Sequence, residues 1–219
     1  MPLPKLTLLE SRVLGVLVEK QKTVPDTYPL TLNALVAGCT QKTSRDPVIE
    51  ATDGQVQEAI DRLRTLSLVV ESSGGRVMRY SQNVARVLAI PTESVALLAT
   101  LMLRGPQTPA EIRQNAERLH RFADVSSVEA YLAELAARRD GGLVVELARA
   151  PGSRETRWMH TLSGEPILAG AEPPVAMDEQ GLRGSDLAML RREIDTIRGE
   201  VAELRSLLGR VMEELGLSR

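Results

Sequence analysis

The sequence uses one plan twice. Three helix-like segments, then a strand, a glycine-containing turn and a second strand, occupy residues 1–83 and again residues 84–162. The correspondence is visible in letters. VQEAIDRL (Val56–Leu63) aligns with VEAYLAEL (Val128–Leu135) at an offset of 72, and LVVE recurs at Leu68–Glu71 and Leu143–Glu146 at an offset of 75. A supersecondary unit of this kind, repeated, restricts the chain to a tandem α+β architecture in which helices predominate. The alternative is two unrelated small α+β segments.

Local signals define the elements. Thr7 with Glu10 forms a capping box, and Leu9, Val13, Leu14, Leu17 and Val18 follow at helical spacing. A second helix is predicted to open near Pro29, bury Leu32, Leu35 and Val36, and stop at Gly38. A third opens near Asp53, with Val56, Ile60, Leu63 and Leu66 on one face. LVVES, SGGR and VMRYS then read as strand, turn, strand. In the second half, Thr92 precedes an apolar helix from Val95 to Leu103, and Thr108-Pro109 opens another. Ser126 with Glu129 is predicted to cap VEAYLAELAARR, and LVVEL, APGSR and TRWMHTL repeat the ribbon. Three helices and a β-ribbon form the winged-helix plan, so residues 1–83 and 84–162 are each predicted to be a winged-helix domain.

Residues 163–184 are rich in Gly, Pro and acid and read as a linker. In 185–219, Leu187, Leu190, Ile194, Ile197, Val201, Leu204, Leu208, Val211 and Leu215 alternate spacings of three and four, the a/d pattern of a coiled-coil helix. Glu193 and Glu200 take g positions, and Arg191, Arg198 and Arg205 take e positions. In a parallel pair, Glu193 meets Arg198 and Glu200 meets Arg205 across the seam, whereas an antiparallel pair sets like charges together. A parallel homodimer is the expectation. The alternative is that this stripe packs on its own body.

Charge and chemistry narrow the function. Net charge is -2 and the pI about 5.8. The halves are balanced, while residues 163–219 carry seven Lys/Arg against eleven Asp/Glu. DNA binding therefore depends on local patches, not on a general positive field. One cysteine, Cys39, excludes an internal disulfide and a cysteine-based zinc site and fits the cytoplasm. The N-terminus lacks a secretory pattern, and no apolar run reaches the ~20 residues that span a membrane. His120 and His160 do not share a ligand spacing, and no phosphate-cradling glycine loop or nucleophile elbow occurs. No catalytic residue, metal or cofactor is predicted.

A winged helix reads DNA through its third helix and its wing. The candidates are Gln55, Gln57, Arg62 and Arg64 on the first unit's third helix, with Glu58 and Asp61 against them, and Arg76 and Arg79 on its wing. The second unit's third helix offers Glu129 and Glu134, but its ribbon carries Arg149, Arg154, Arg157 and His160. Lys42 and Arg45 lie in the connection GCTQKTSRDPV (Gly38–Val48) and are expected to be exposed. That connection is longer than a simple helix-turn-helix turn. It suits a phosphate contact, a partner-docking loop, or packing on the wing.

GCTQKTSRDPV beside EKQKTVPDTYPLTLNAL, then LMLRGPQTPAEIR and GSRETRWMHTLSGE, resembles the YceH-like family of uncharacterised bacterial proteins. The family's connection reads CNQKTNREPV; Gln41, Lys42, Thr43, Arg45 and Pro47 match it, while Thr40 and Ser44 replace amides. The resemblance implies tandem winged helices, and because the family's biochemical role is not established it offers no catalytic residues to carry over. The leading expectation is a dimeric DNA-binding regulator, and the rival is a winged-helix scaffold with a protein partner.

Overall fold

The computed structural model describes residues 4–73, 77–149 and 155–164. All fall within the first of two compact units, Met1–Ile167 and Leu168–Arg219. The heptad positions Leu187 to Leu215, with Arg76 and Arg154, lie outside the described residues.

The protein is α+β, with about half of the described residues helical and two small antiparallel sheets. α1 (Leu8–Thr23), α2 (Leu32–Cys39) and α3 (Asp53–Thr65) precede the ribbon β1 (Val69–Ser73) and β2 (Met78–Gln82). α4 (Val84–Leu88) leads into α5 (Thr92–Arg104), α6 (Pro109–Ala116) and α7 (Val125–Ala136), then β3 (Val144–Leu147) and β4 (Arg157–His160). Both ribbons are antiparallel, in registers Val69↔Gln82 and Val144↔His160. Each gains a third partner ahead of a short helix. Leu30 exchanges both backbone hydrogen bonds with Tyr80 just before α2, and Gln107 exchanges both with Trp158 just before α6. The next residue in each case, Thr31 or Thr108, is the N-cap. The two halves thus match in a detail that the letters do not display.

Several expected boundaries move. α2 begins at Leu32, not near Pro29, because the Leu30 backbone is committed to Tyr80 and Thr31 caps the helix. Gly38 lies inside α2, which ends at Cys39. α7 is capped by Asp124, whose carboxylate accepts from Ser127 N at 2.7 Å, and not by Ser126 with Glu129. The Asp124 carboxylate lies two residues before the Ser126 hydroxyl and takes the exposed N–H first. The five-residue α4 has no counterpart in the periodicity.

α1 and α5 form the middle of the fold. Residues 10–18 of α1 and 94–103 of α5 are buried on all faces. Gly15 lets the two helices approach, since a Cβ there would stand 2.9 Å from Leu103. One hydrophobic cluster runs from Leu6 to Leu162 through both halves. The chain also closes on itself, with Leu6 N donating to Leu162 O at 2.8 Å.

Candidate functional site

The connection after α2 is stapled from two sides. Arg12 of α1 has no solvent exposure and donates to Cys39 O at 3.3 Å and to Pro47 O at 2.6 Å. Burial and the charge of Arg45 press its pKa down, and Cys39 and Asp46 oppose them. Arg45 belongs to the connection itself. It donates to Glu19 Oε1 at 3.1 Å and Glu19 Oε2 at 2.6 Å, to Gly38 O at 3.1 Å and to Ser44 O at 2.9 Å. Burial pushes the Glu19 carboxyl up, but the hydrogen bonds and charge of Arg45, with Lys20, outweigh it and hold the group below its ordinary range. Farther along, Asp46 N donates to Leu103 O at 2.8 Å, which ties the connection to α5.

This corrects the expectation that Arg45 is an exposed cation. It is 6% exposed, and its guanidinium is spent on a carboxylate and two carbonyls. It is a packing residue with charge, not a phosphate contact. Lys42 does face solvent.

The candidates on α3 and the ribbons also have internal partners. Gln55 closes a capping box with Thr52, accepting from Thr52 N at 2.9 Å. Gln57 accepts from the Tyr80 hydroxyl at 3.2 Å and donates to Asp61 at 3.1 Å. Arg62 pairs with the buried Glu10 at 3.2 Å. Arg64 pairs with Asp61 at 3.2 Å and with Glu71. Arg79 donates to the carbonyls of Thr27 at 3.3 Å and Pro29 at 2.7 Å. Arg157 donates to Pro106 O at 2.9 Å and to Glu111 at 3.3 Å. Arg149 is exposed at the end of the second ribbon.

Cys39 is wholly buried, and burial drives its thiol up to about 12 against the opposing charges of Arg12 and Arg45. Cys39 is therefore an inert core residue. In native protein near pH 8, Cys39 is expected to resist a thiol-exchange reagent that modifies it at once in denaturant; native modification at the denatured rate counts against this burial. His160 is likewise buried and held down to about 4, so it is neutral at physiological pH and adds nothing to a basic cluster.

Sequence reading missed Arg12, Glu19 and Arg104. Arg12 carried one signal, a lone charge inside the apolar run SRVLGVLV, which a helix buried on all faces must neutralise by hydrogen bonding. Glu19 and Arg104 carried none, because their partners are 26 and 60 residues away.

The family described as "Protein of unknown function, DUF480" matches residues 6–153. A UPF0502 protein of Dechloromonas aromatica is 58% identical over 209 residues, covering 94% of this chain and 95% of the relative. One of Leptothrix cholodnii is 57% identical over 215 residues, covering 97% and 96%. One of Burkholderia ambifaria is 53% identical over 222 residues, covering 99% and 94%.

Proposed function

The chain belongs to the DUF480 family, and we propose that it is a tandem winged-helix protein that acts through protein–protein contacts, as a dimer joined by its C-terminal coiled coil. The winged-helix reading draws on the order found in each half: helix, a bridging residue, capped helix, third helix, ribbon. The dimer reading draws on the heptad stripe and its e/g charges.

One observation favours a scaffold over a DNA regulator. The side chains that a winged helix needs for duplex recognition lie at the surface but already have partners within the protein. Arg62 and Arg64 are neutralised by Glu10, Asp61 and Glu71, and Gln55 is occupied in a cap. What α3 leaves outward includes Asp53 and Glu58, and α7 leaves Glu129 and Glu134. Carboxylates on that face repel phosphates and lack donors for guanine edges. The inert Cys39 thiol also weighs against a cysteine enzyme. Exposed Lys42 and Arg149 are the observation that favours the second reading, duplex binding.

An electrophoretic shift of mixed-sequence duplex by the full chain separates the two. The expected result is no saturable shift even at about 50 mM salt. A shift that weakens steeply by about 200 mM salt, and that Lys42→Glu with Arg149→Glu abolishes, replaces the scaffold with the DNA reading. Light scattering tests the assembly in parallel. Full-length protein is expected at dimer mass and the Ile194→Asp/Val201→Asp variant at monomer mass; equal masses refute the coiled-coil dimer.

A further inference from the structure

We infer that the cavity between α1, the 40–52 connection, α5 and the turn after α6 binds a small oxyanion, of the phosphate-monoester class. The cavity holds about 170 Å³, below the roughly 300 Å³ at which drug-sized ligands begin to fit. Its wall includes Glu19, Lys20, Ser44, Arg104, Asn115 and Arg118. Three of these are cations and one is a carboxylate. Glu19 is already matched, because Arg45 grips both its oxygens from beneath and Lys20 lies 3.4 Å away. The wall therefore carries an excess of positive charge, and among the described residues neither Arg104 nor Arg118 has a carboxylate within ion-pair distance.

Arg104 carries the argument. It is half-buried, and burial together with Arg45 works against its charge while Glu19 supports it. Among the described residues its guanidinium makes one hydrogen bond, to Ser44 Oγ at 2.8 Å, and has no carboxylate within ion-pair distance. A guanidinium has five N–H donors, so Arg104 keeps donors beside the cavity that a ligand can engage. Ser44 accepts from Arg104 and so retains its own proton for a ligand. It does this at φ 58°, a left-handed conformation that a non-glycine residue holds only where its surroundings impose it. Asn115 donates to Gln107 Oε1 at 2.6 Å and keeps a carbonyl and a second N–H.

Three cations, a hydroxyl and an amide around one small volume suit a tetrahedral dianion better than a planar monoanion. A second cavity of about 310 Å³ shares Ser44, Arg104 and Asn115 and adds Asp46 and Glu111. It offers acceptors to hydroxyl or amino groups on the organic part of an ester. Because α1 comes from the first half and α5 from the second, a bound anion ties the halves together. This site goes beyond the scaffold reading and stands independently of it.

The test is a titration of ¹⁵N-labelled full-length protein with inorganic phosphate, followed by amide shifts, against sodium chloride at equal ionic strength and against acetate. Saturable shifts around Ser44, Gly105 and Asn115 with phosphate alone are expected, with acetate weaker. Arg118→Ala, on an exposed residue, and Arg104→Gln should each weaken phosphate at least about tenfold, the loss of one charge-assisted hydrogen bond. Arg121→Ala, which lies outside this cavity, should leave it unchanged. Shifts that chloride reproduces, that fail to saturate, or that survive Arg118→Ala overturn the site. So does an equal loss in Arg121→Ala. Acetate binding as tightly as phosphate overturns the assigned class. If Arg104→Gln does not fold, Arg118→Ala decides alone.

Discussion

Arg45→Ala lowers the unfolding free energy by about 3–5 kcal/mol, the cost of leaving one partner of a buried ion pair behind. The Arg45 side chain is fully buried, and Glu19 is 17% exposed, so most of that cost is retained. The alanine also strips a donor from Gly38 O and another from Ser44 O. Lys42→Ala, three residues earlier on an exposed side chain, changes stability by less than about 0.5 kcal/mol. Urea denaturation of the two variants measures the contrast; an Arg45→Ala loss below about 1 kcal/mol refutes the pair as a structural anchor. Acid supplies a second readout. Glu19 is held below its ordinary value of 4.5, so its contribution is complete above that pH and disappears as pH falls through the folded value. Wild type therefore loses stability on acidification in a window where Arg45→Ala loses less. Arg45→Met with Glu19→Gln removes both charges together and recovers part of the loss.

Gly38→Ala destabilises the protein by about 1–3 kcal/mol, although alanine at a helical glycine is normally worth about 1 kcal/mol in the opposite direction. Steric overlap wins here. A Cβ on Gly38 would stand 2.5 Å from Val16 Cγ1, where α2 crosses α1. Val16 has no solvent exposure and is stiff at χ1, so the methyl cannot rotate away. Thermal or urea unfolding of Gly38→Ala, Val16→Ala and the pair forms a double-mutant cycle. The double variant should be more stable than the sum of the single losses allows. Additive losses, or a stabilised Gly38→Ala, exclude the close approach.

The elements that sequence reading located best are those whose signals are local. Thr7 with Glu10 caps α1 as the spacing requires, and Thr108 with Glu111 caps α6. Val56, Ile60 and Leu63 line the buried face of α3, and both ribbons form from their LVVE strands. Misplaced features had a stronger competitor within a few residues or none visible at all. Gln55 reads as a base-reading amide, yet its side chain accepts from the backbone N–H of Thr52, three residues earlier, whose hydroxyl accepts in turn from Gln55 N. α4 is too short to express a period.

Charged side chains behave differently from the residues that shape helices. Hydrophobic spacing and caps are properties of contiguous chain, so the α+β class and the repeated order of elements follow from the amino-acid sequence alone. Whether an arginine is a free cation is not such a property. Arg45 meets Glu19 across 26 residues, Arg12 meets Pro47 across 35, and Arg104 meets Ser44 across 60. The folding of the 40–52 connection onto α1 and against α5 brings these groups to one place. An ion's energy depends on the charge and water within a few ångströms of it, and those neighbours are selected by the tertiary fold. The same arginines that look alike in the sequence thus become a staple, an anchor and an unmatched charge beside a cavity.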